Sequence, residues 1–402
     1  MPILWTDNQA IGRQDGVEQR RYGEMSLAIV DAREWQNMFD LRTGARVEAG
    51  GPQVEMMKNV LKKYLYPGDL DPRSNGWVTD IALDLIGTYH PRLVFLCYSR
   101  QYFSMRYSTM DETERKKLIA ATFKEVERFT RESGFTPLIV GRGDMTPLRD
   151  FIDLSKLDGL AVCTHWSVRY AGLHGPSAAD LKTLNDHPHI RMIAEKNEVL
   201  RLFEGSSGDD RRLPDYLLAA EKGYAFKTVS SAMRRPVMIP DAAPHIPLST
   251  LWGNVKDITG IRRLIEDNLK DHRIALILLE GIGTDEFLWP SVSCGNGREW
   301  YCYEPGAGQY LAITSGRHRV FDYPSGYKSF VEDSGEKEYP LSGYFTSIPD
   351  GPIGQGISDR SIAVGNNSMF MHMVTGADMC VECFARNLSN QGTLGVIHRQ
   401  DK

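Results

Sequence analysis

Short uninterrupted apolar runs alternate with longer stretches of helical periodicity along most of this chain. The clearest case spans residues 90–148. Residues 92–99 form an apolar run rich in β-formers, and His90-Pro91 ahead of it disfavours a helix. Asp111 offers an N-cap acceptor with Glu114 three residues on, the pattern that opens a helix. Leu118, Ile119, Phe123 and Val126 then recur at helical spacing, while Lys116, Lys117, Glu125 and Arg128 take the other face. Gly134 stops this helix, and 137–140 is a second apolar strand running into Gly141-Arg-Gly-Asp144. Two buried strands joined by a long amphipathic crossover make a βαβ unit. Its loops at the carboxyl ends of the strands, 98–110 and 141–148, are where α/β proteins place their sites.

The same reading predicts a first strand at 26–30 ending at Asp31, helices at 53–65 and 77–89, and a strand at 157–163 closing on Thr164-His165-Trp166. Ser177 caps a helix at 178–184, strands follow at 190–194 and 228–231, and a helix runs over 197–204. Four prolines in 236–247 indicate a loop or a seam between domains. An amphipathic helix at 258–269 precedes 274–279, the most apolar strand of all. From 281 to 356 glycine, tyrosine and short apolar pieces predict long loops or small antiparallel additions. Order returns with a strand at 361–364, a helix at 378–388 and a strand at 393–398. Continuous apolar runs fit strands covered on both faces, so 93–96, 138–140, 160–162 and 274–279 are expected as parallel strands of one sheet. The fold class is therefore α/β: a mostly parallel central sheet with helices on both faces and a loop-rich C-terminal insertion at about 284–356. Residues 1–250 would form the core and 251–402 its remainder, in one compact unit.

Bulk composition narrows the partners. At 402 residues the chain can build one large α/β domain or two smaller ones. A net charge of −5 without a Lys/Arg block gives no reason to expect nucleic acid. Six cysteines are too sparse for a disulfide scaffold, the first residues lack the regions of a signal peptide, and no apolar run reaches membrane-spanning length. The expectation is a reduced, cytoplasmic protein with no membrane partner, open to homo-oligomerisation.

Candidate chemistry gathers at strand ends. Gly141-Arg-Gly143 and Gly281-Ile-Gly283 each follow an apolar strand and read either as tight turns or as backbone cradles for an anion. Asp31, Asp144, Glu280 and the nearby Asp285 are carboxylates suited to a divalent metal or to acid/base work. His165 directly follows a strand, and His318 closes Thr314-Ser-Gly-Arg-His318. In that segment Thr314 or Ser315 could supply a nucleophilic hydroxyl, with Arg317 and Arg319 to hold an anion. Cys380-Val-Glu-Cys383 reads as core thiols or as half of a zinc site with His372 and His398. There is neither a Gly-x-Ser-x-Gly elbow nor a dinucleotide or P-loop fingerprint.

The layout resembles the alkaline phosphatase superfamily, the phosphodiesterase and phosphoglycerate mutase relatives. Pro91 to Ser99 leads through a long helix to Pro137-Leu-Ile-Val-Gly-Arg-Gly-Asp-Met-Thr-Pro147, as the family's strand and helix lead to S-D-H-G-M-T-P. Ala275 to Gly283 is similar to the family's opening strand, and Gly308 to Gly316 to its nucleophile segment. Glu280 stands where the family has a metal-binding Asp, and Arg142-Gly143-Asp144 stands near its Asp-His pair. The resemblance implies a hydrolase acting on a small anionic ester, phosphoester or related, at the carboxyl edge of the sheet. In that reading a divalent metal (Zn, Mn or Mg) falls to Asp144, Glu280 and Asp285. Catalysis falls to His165, Thr314 and Ser315, and the substrate anion to Arg142, Arg317 and His318. The alternative is a catalytically degenerate binding or assembly protein that keeps the fold without its metals.

Overall fold

The computed structural model describes residues 62–65, 67–89, 92–163, 168–203, 213–228, 231, 234–306, 309, 312, 313, 316 and 318, with the backbone of short strands near both ends of the chain. Its centre is a seven-stranded sheet in the order Ile3–Trp5, Leu27–Asp31, Leu93–Tyr98, Ile274–Leu279, Thr136–Gly141, His245–Ser249, Val292–Gly295. The four strands from Leu27–Asp31 to Thr136–Gly141 run parallel. The other three are antiparallel additions at the edges. Ile274–Leu279 holds the middle, and all six of its residues are buried. Leu278 sits opposite both Cys97 and Val140. A strand with neighbours on both sides and cover on both faces has no polar face to offer, which is why its sequence is unbroken aliphatic. Each such side chain contributes roughly 1.5–3 kcal/mol of burial.

The long crossover helix forms as its ends dictate. Asp111 accepts from the Glu114 amide at 2.8 Å while Glu114 accepts from the Asp111 amide at 2.9 Å, a complete capping box. Gly134 closes the helix Glu112–Ser133 at φ 66°, a conformation open to glycine without strain. Leu118, Ile119, Phe123, Val126 and Phe129 are its buried stripe. The helices Ser74–Tyr89, Ala178–Asn185, Lys196–Leu202 and Gly260–Asn268 also stand where periodicity placed them, Ala178–Asn185 with a capping box on Ser177 and Asp180.

Four expectations are corrected. Leu160–Cys163 is not in the central sheet but at the edge of a separate antiparallel sheet, beside Tyr170–His174, then Tyr216–Ala220 and Ile190–Glu195. Leu160 is 65% exposed there, and a run of four apolar residues is too short to reveal which kind of sheet it joins. The proline-bearing segment 236–247 holds two strands in place of a loop: Met238–Pro240 pairs with Met145–Pro147, and His245–Ser249 enters the central sheet. A proline costs a strand one donor, not its existence. Thr228 and Ser231 exchange side-chain hydrogen bonds with each other's amides in place of a strand. Residues 379–382, expected in a helix, form the strand Met379–Glu382, paired with Ile362–Val364 and Thr393–Val396 in a five-stranded sheet that also takes Asn37–Asp40 and Arg46–Val47. All but residues 62–65 of the helix expected at 53–65, and most of 307–356, lie outside the described residues. No described helix is long and apolar enough to cross a membrane.

Candidate functional site

Because Thr136–Gly141 and Ile274–Leu279 are neighbours, their two glycine turns meet at the carboxyl edge of the sheet. They lock to each other. Arg142 donates its amide to the Leu279 carbonyl at 3.0 Å, and Gly143 donates to Ile282 at 3.2 Å. A Cβ on Gly141 would come within 2.6 Å of the Ile282 oxygen, so glycine lets the two turns approach. Those two amides of the Gly141-Arg-Gly143 turn are thus spent on protein.

Behind the turns lies Arg142, fully buried. Its Nη1 donates to Glu280 Oε1 at 2.7 Å, Nε to Gln309 Oε1 at 2.8 Å and Nη2 to the Gly306 carbonyl at 2.8 Å. Gln309 donates in turn to Asn296 Oδ1 at 2.7 Å, and Asn296 donates to the Tyr303 carbonyl at 2.8 Å. From the other side Gln101 donates to the backbone oxygens of Glu280 and Tyr98, at 2.7 and 2.6 Å. A buried guanidinium survives only when paired and hydrogen-bonded, and here it is both. Arg142 thus faces Glu280 and carbonyls of its own chain instead of a ligand, and Glu280 has a cation already.

Asp144 has a different setting. Its Oδ1 is buried without a hydrogen-bond partner, and so is Oε2 of Glu286. Burial, then the charges of Asp285, Glu286 and Asp241, hold the Asp144 carboxyl above the usual carboxylate range, and the Gly283 amide opposes the shift. Gly283 fits this carboxylate closely: a Cβ there would lie 2.2 Å from it. Two cations border the group, Lys222 on Asp241 at 2.5 Å and Arg115 on Glu286. Asp285 is exposed in the single turn Thr284–Glu286. Asp241 and Glu286 went unremarked in the sequence, since 236–247 read as a loop or seam and Glu286 lies several residues past a strand; the pairing of Met238–Pro240 with Met145–Pro147 brings Asp241 to Asp144.

The other expected residues scatter. His318 stacks on Tyr303 with ring centroids 6.0 Å apart, its Nε2 3.8 Å from Asp257. His165, Thr314, Ser315 and Arg317 lie outside the described residues, as do Cys383, His372 and His398. Cys380 falls in the backbone of the strand Met379–Glu382. Among the described residues no three His, Cys, Asp or Glu side chains are placed to hold a metal ion. Asp144, Glu280 and Asp285 do not fit that role as a set: Glu280 turns to Arg142, and Asp144 turns to Gly283. Cys294 is a buried free thiol pushed up to about 12 by burial, which makes it inert.

No family model matches this chain, and no curated protein does. Among solved structures it is similar to the crystal structure of phosphonoacetate hydrolase from Sinorhizobium meliloti 1021 in complex with phosphonoacetate, at 13% identity and a TM-score of 0.32. The match covers 42% of this chain and 46% of that one, so the chain spans less than half of the protein it aligns with.

Proposed function

We propose that the chain is a hydrolase-like α/β protein acting on a small anionic ester, phosphoester or related, with Asp144 as the group that holds and delivers the proton. The supporting observation is Asp144 itself: a carboxyl with a buried unpartnered oxygen, pushed toward its protonated form by burial and three acidic neighbours, at the carboxyl edge of a parallel sheet. A carboxyl kept protonated is what a departing alkoxide needs as general acid. The same acidic neighbours repel an anion, so the ester presents its leaving oxygen here and its charge elsewhere. Asp285 can assist as a second acid/base group, His165 as a proton carrier, Thr314 or Ser315 as the attacking hydroxyl, and Arg317 as the clamp on the anion. Hydrolysis of ethyl phosphate, whose alkoxide leaving group needs a proton, tests this. The rate should fall as pH rises past the raised Asp144 pKa, and Asp144→Asn should lose roughly a hundredfold or more. An unchanged rate in that variant sinks the reading.

One observation favours the second reading, a binding protein without catalysis. The Arg142–Glu280 pair puts a guanidinium against the carboxylate that the family resemblance assigns to a metal. On that reading neither the parent nor the Asp144→Asn variant turns over any ester, with or without added Zn, Mn or Mg.

A further inference from the structure

The helix Arg100–Tyr107 ends in an arrangement that neither reading uses. Its hydrophobic side packs into a cluster with Met145 and Met238, and its last turn carries Arg106 and Tyr107. Arg106 is held in place by two phenols: Nε donates to the Tyr107 hydroxyl at 3.2 Å, Nη1 to the Tyr102 hydroxyl at 2.9 Å. A second guanidinium, that of Arg234, lies over the same Tyr107 ring with 4.0 Å between Cζ and the ring centroid. Arg106 Cζ is 5.6 Å from that centroid, so the two guanidiniums border one ring with their carbons no more than about 10 Å apart.

Among the described residues neither arginine has a carboxylate within ion-pair distance. The acids nearby are engaged elsewhere. Glu304 is near enough for its charge to act on Arg106, but its Oε1 accepts from the amides of Val168 and Arg169, and Asp150 lies 3.8 Å from Arg235. Arg106 also suits the negative end of its helix, which accounts for one cation there but not for two on one ring. Two like charges over a single tyrosine repel unless an anion comes between them. Arg106 in particular is pre-aimed, because its phenol bonds fix the plane of the fork and leave Nη2 without a protein acceptor among the described residues.

We infer that Arg106 and Arg234, mounted on Tyr107, form a binding site for a phosphate group of a small molecule. Guanidinium forks match phosphate oxygens two at a time, whereas with Arg234 over the Tyr107 ring that face is not open to a stacking base. The site is separate from the Asp144 cluster. Val237 donates to the Arg106 carbonyl at one end of the strand and Asp241 to the Asp144 carbonyl at the other. Four residue steps of extended chain, about 13 Å, separate the two.

Calorimetric titration of the full chain with inorganic phosphate and with pyrophosphate, in a buffer without phosphate, tests the site. One anion should bind per chain. Arg234→Ala, at an exposed position, should weaken binding about tenfold, the loss expected for one charge-assisted contact. Arg106→Lys should weaken it comparably, since it keeps the charge and removes the fork. Arg263→Ala removes another exposed arginine, from the helix Gly260–Asn268, and should bind as the parent does. The inference fails if neither anion binds at millimolar concentration, or if Arg263→Ala loses as much as Arg234→Ala. It also fails if only a single-stranded oligonucleotide binds, which would make the patch a nucleic-acid surface.

Discussion

Two carboxylates follow adjacent parallel strands, and the chain treats them in opposite ways. Glu280, the residue after Ile274–Leu279, is met at 2.7 Å by a buried arginine whose remaining nitrogens are also engaged. Asp144, three residues after Thr136–Gly141, has an unpartnered buried oxygen and acidic neighbours. The first arrangement is neutral and closed, and it ties together turns that come from residues 142, 280, 296 and 309. The second stores repulsion. A scaffold gains from the first, whereas the second persists at a cost in stability, which is the usual mark of a group kept for chemistry. Carboxylates of the same strand-end type thus divide into one neutralised by a buried arginine and one left with an unpartnered oxygen, the one to which the proposed function gives the proton.

The sharpest way to break this contrast is at Arg142. Arg142→Met leaves Glu280 buried without its cation and should cost about 3–5 kcal/mol by urea denaturation. Pairing it with Glu280→Met should recover most of that loss, since an apolar pair of similar volume replaces a buried ion pair at little net cost. A double variant as unstable as the single one would show that the ion pair is not what closes the turns. Next comes Gly283→Ala, whose methyl would need the space of the Asp144 carboxylate. It should cost about 1–3 kcal/mol, and Asp144→Ala in the same chain should relieve it. If Gly283→Ala is neutral, the carboxylate is not held against that turn.

The sheet was largely legible because its inner strands are apolar without interruption and its long helix carries its own caps in Asp111, Glu114 and Gly134. Three of the four strands expected together do share one sheet, with Ile274–Leu279 between the other two. Leu160–Cys163 was illegible at that level, since four apolar residues say nothing about which neighbours they find. Met379–Glu382 failed for a related reason: Met-Cys-Val-Glu fits a strand or a helix, and the partners Ile362–Val364 and Thr393–Val396 decide it. At the site, the sequence pointed to Asp144 and Glu280 through their positions after strands. It could not tell that Arg142 turns inward to Glu280, because an arginine beside glycines reads as an anion clamp until the partner is known. Asp241, Glu286, Arg106 and Arg234 were invisible for the same reason. Each gains its meaning from a neighbour far away in the chain.

The smallest effect is the most discriminating, because its sign is unusual. Asp144 has a folded-state pKa above that of an unfolded aspartate, which is about 3.9. A group shifted upward adds stability that is fully present below the unfolded pKa and is lost as pH rises through the folded one. The parent should therefore lose stability between about pH 4 and neutrality on account of this residue. Asp144→Asn removes the charge while keeping the shape. It should match the parent near pH 4 and exceed it at pH 7. The same variant should be the one that loses turnover, so stability and activity move in opposite directions. Denaturation midpoints at the two pH values decide it. If Asp144→Asn is less stable at pH 7, the carboxylate is serving the Gly283 amide as an ordinary turn cap, and the contrast with Glu280 collapses into two structural acids.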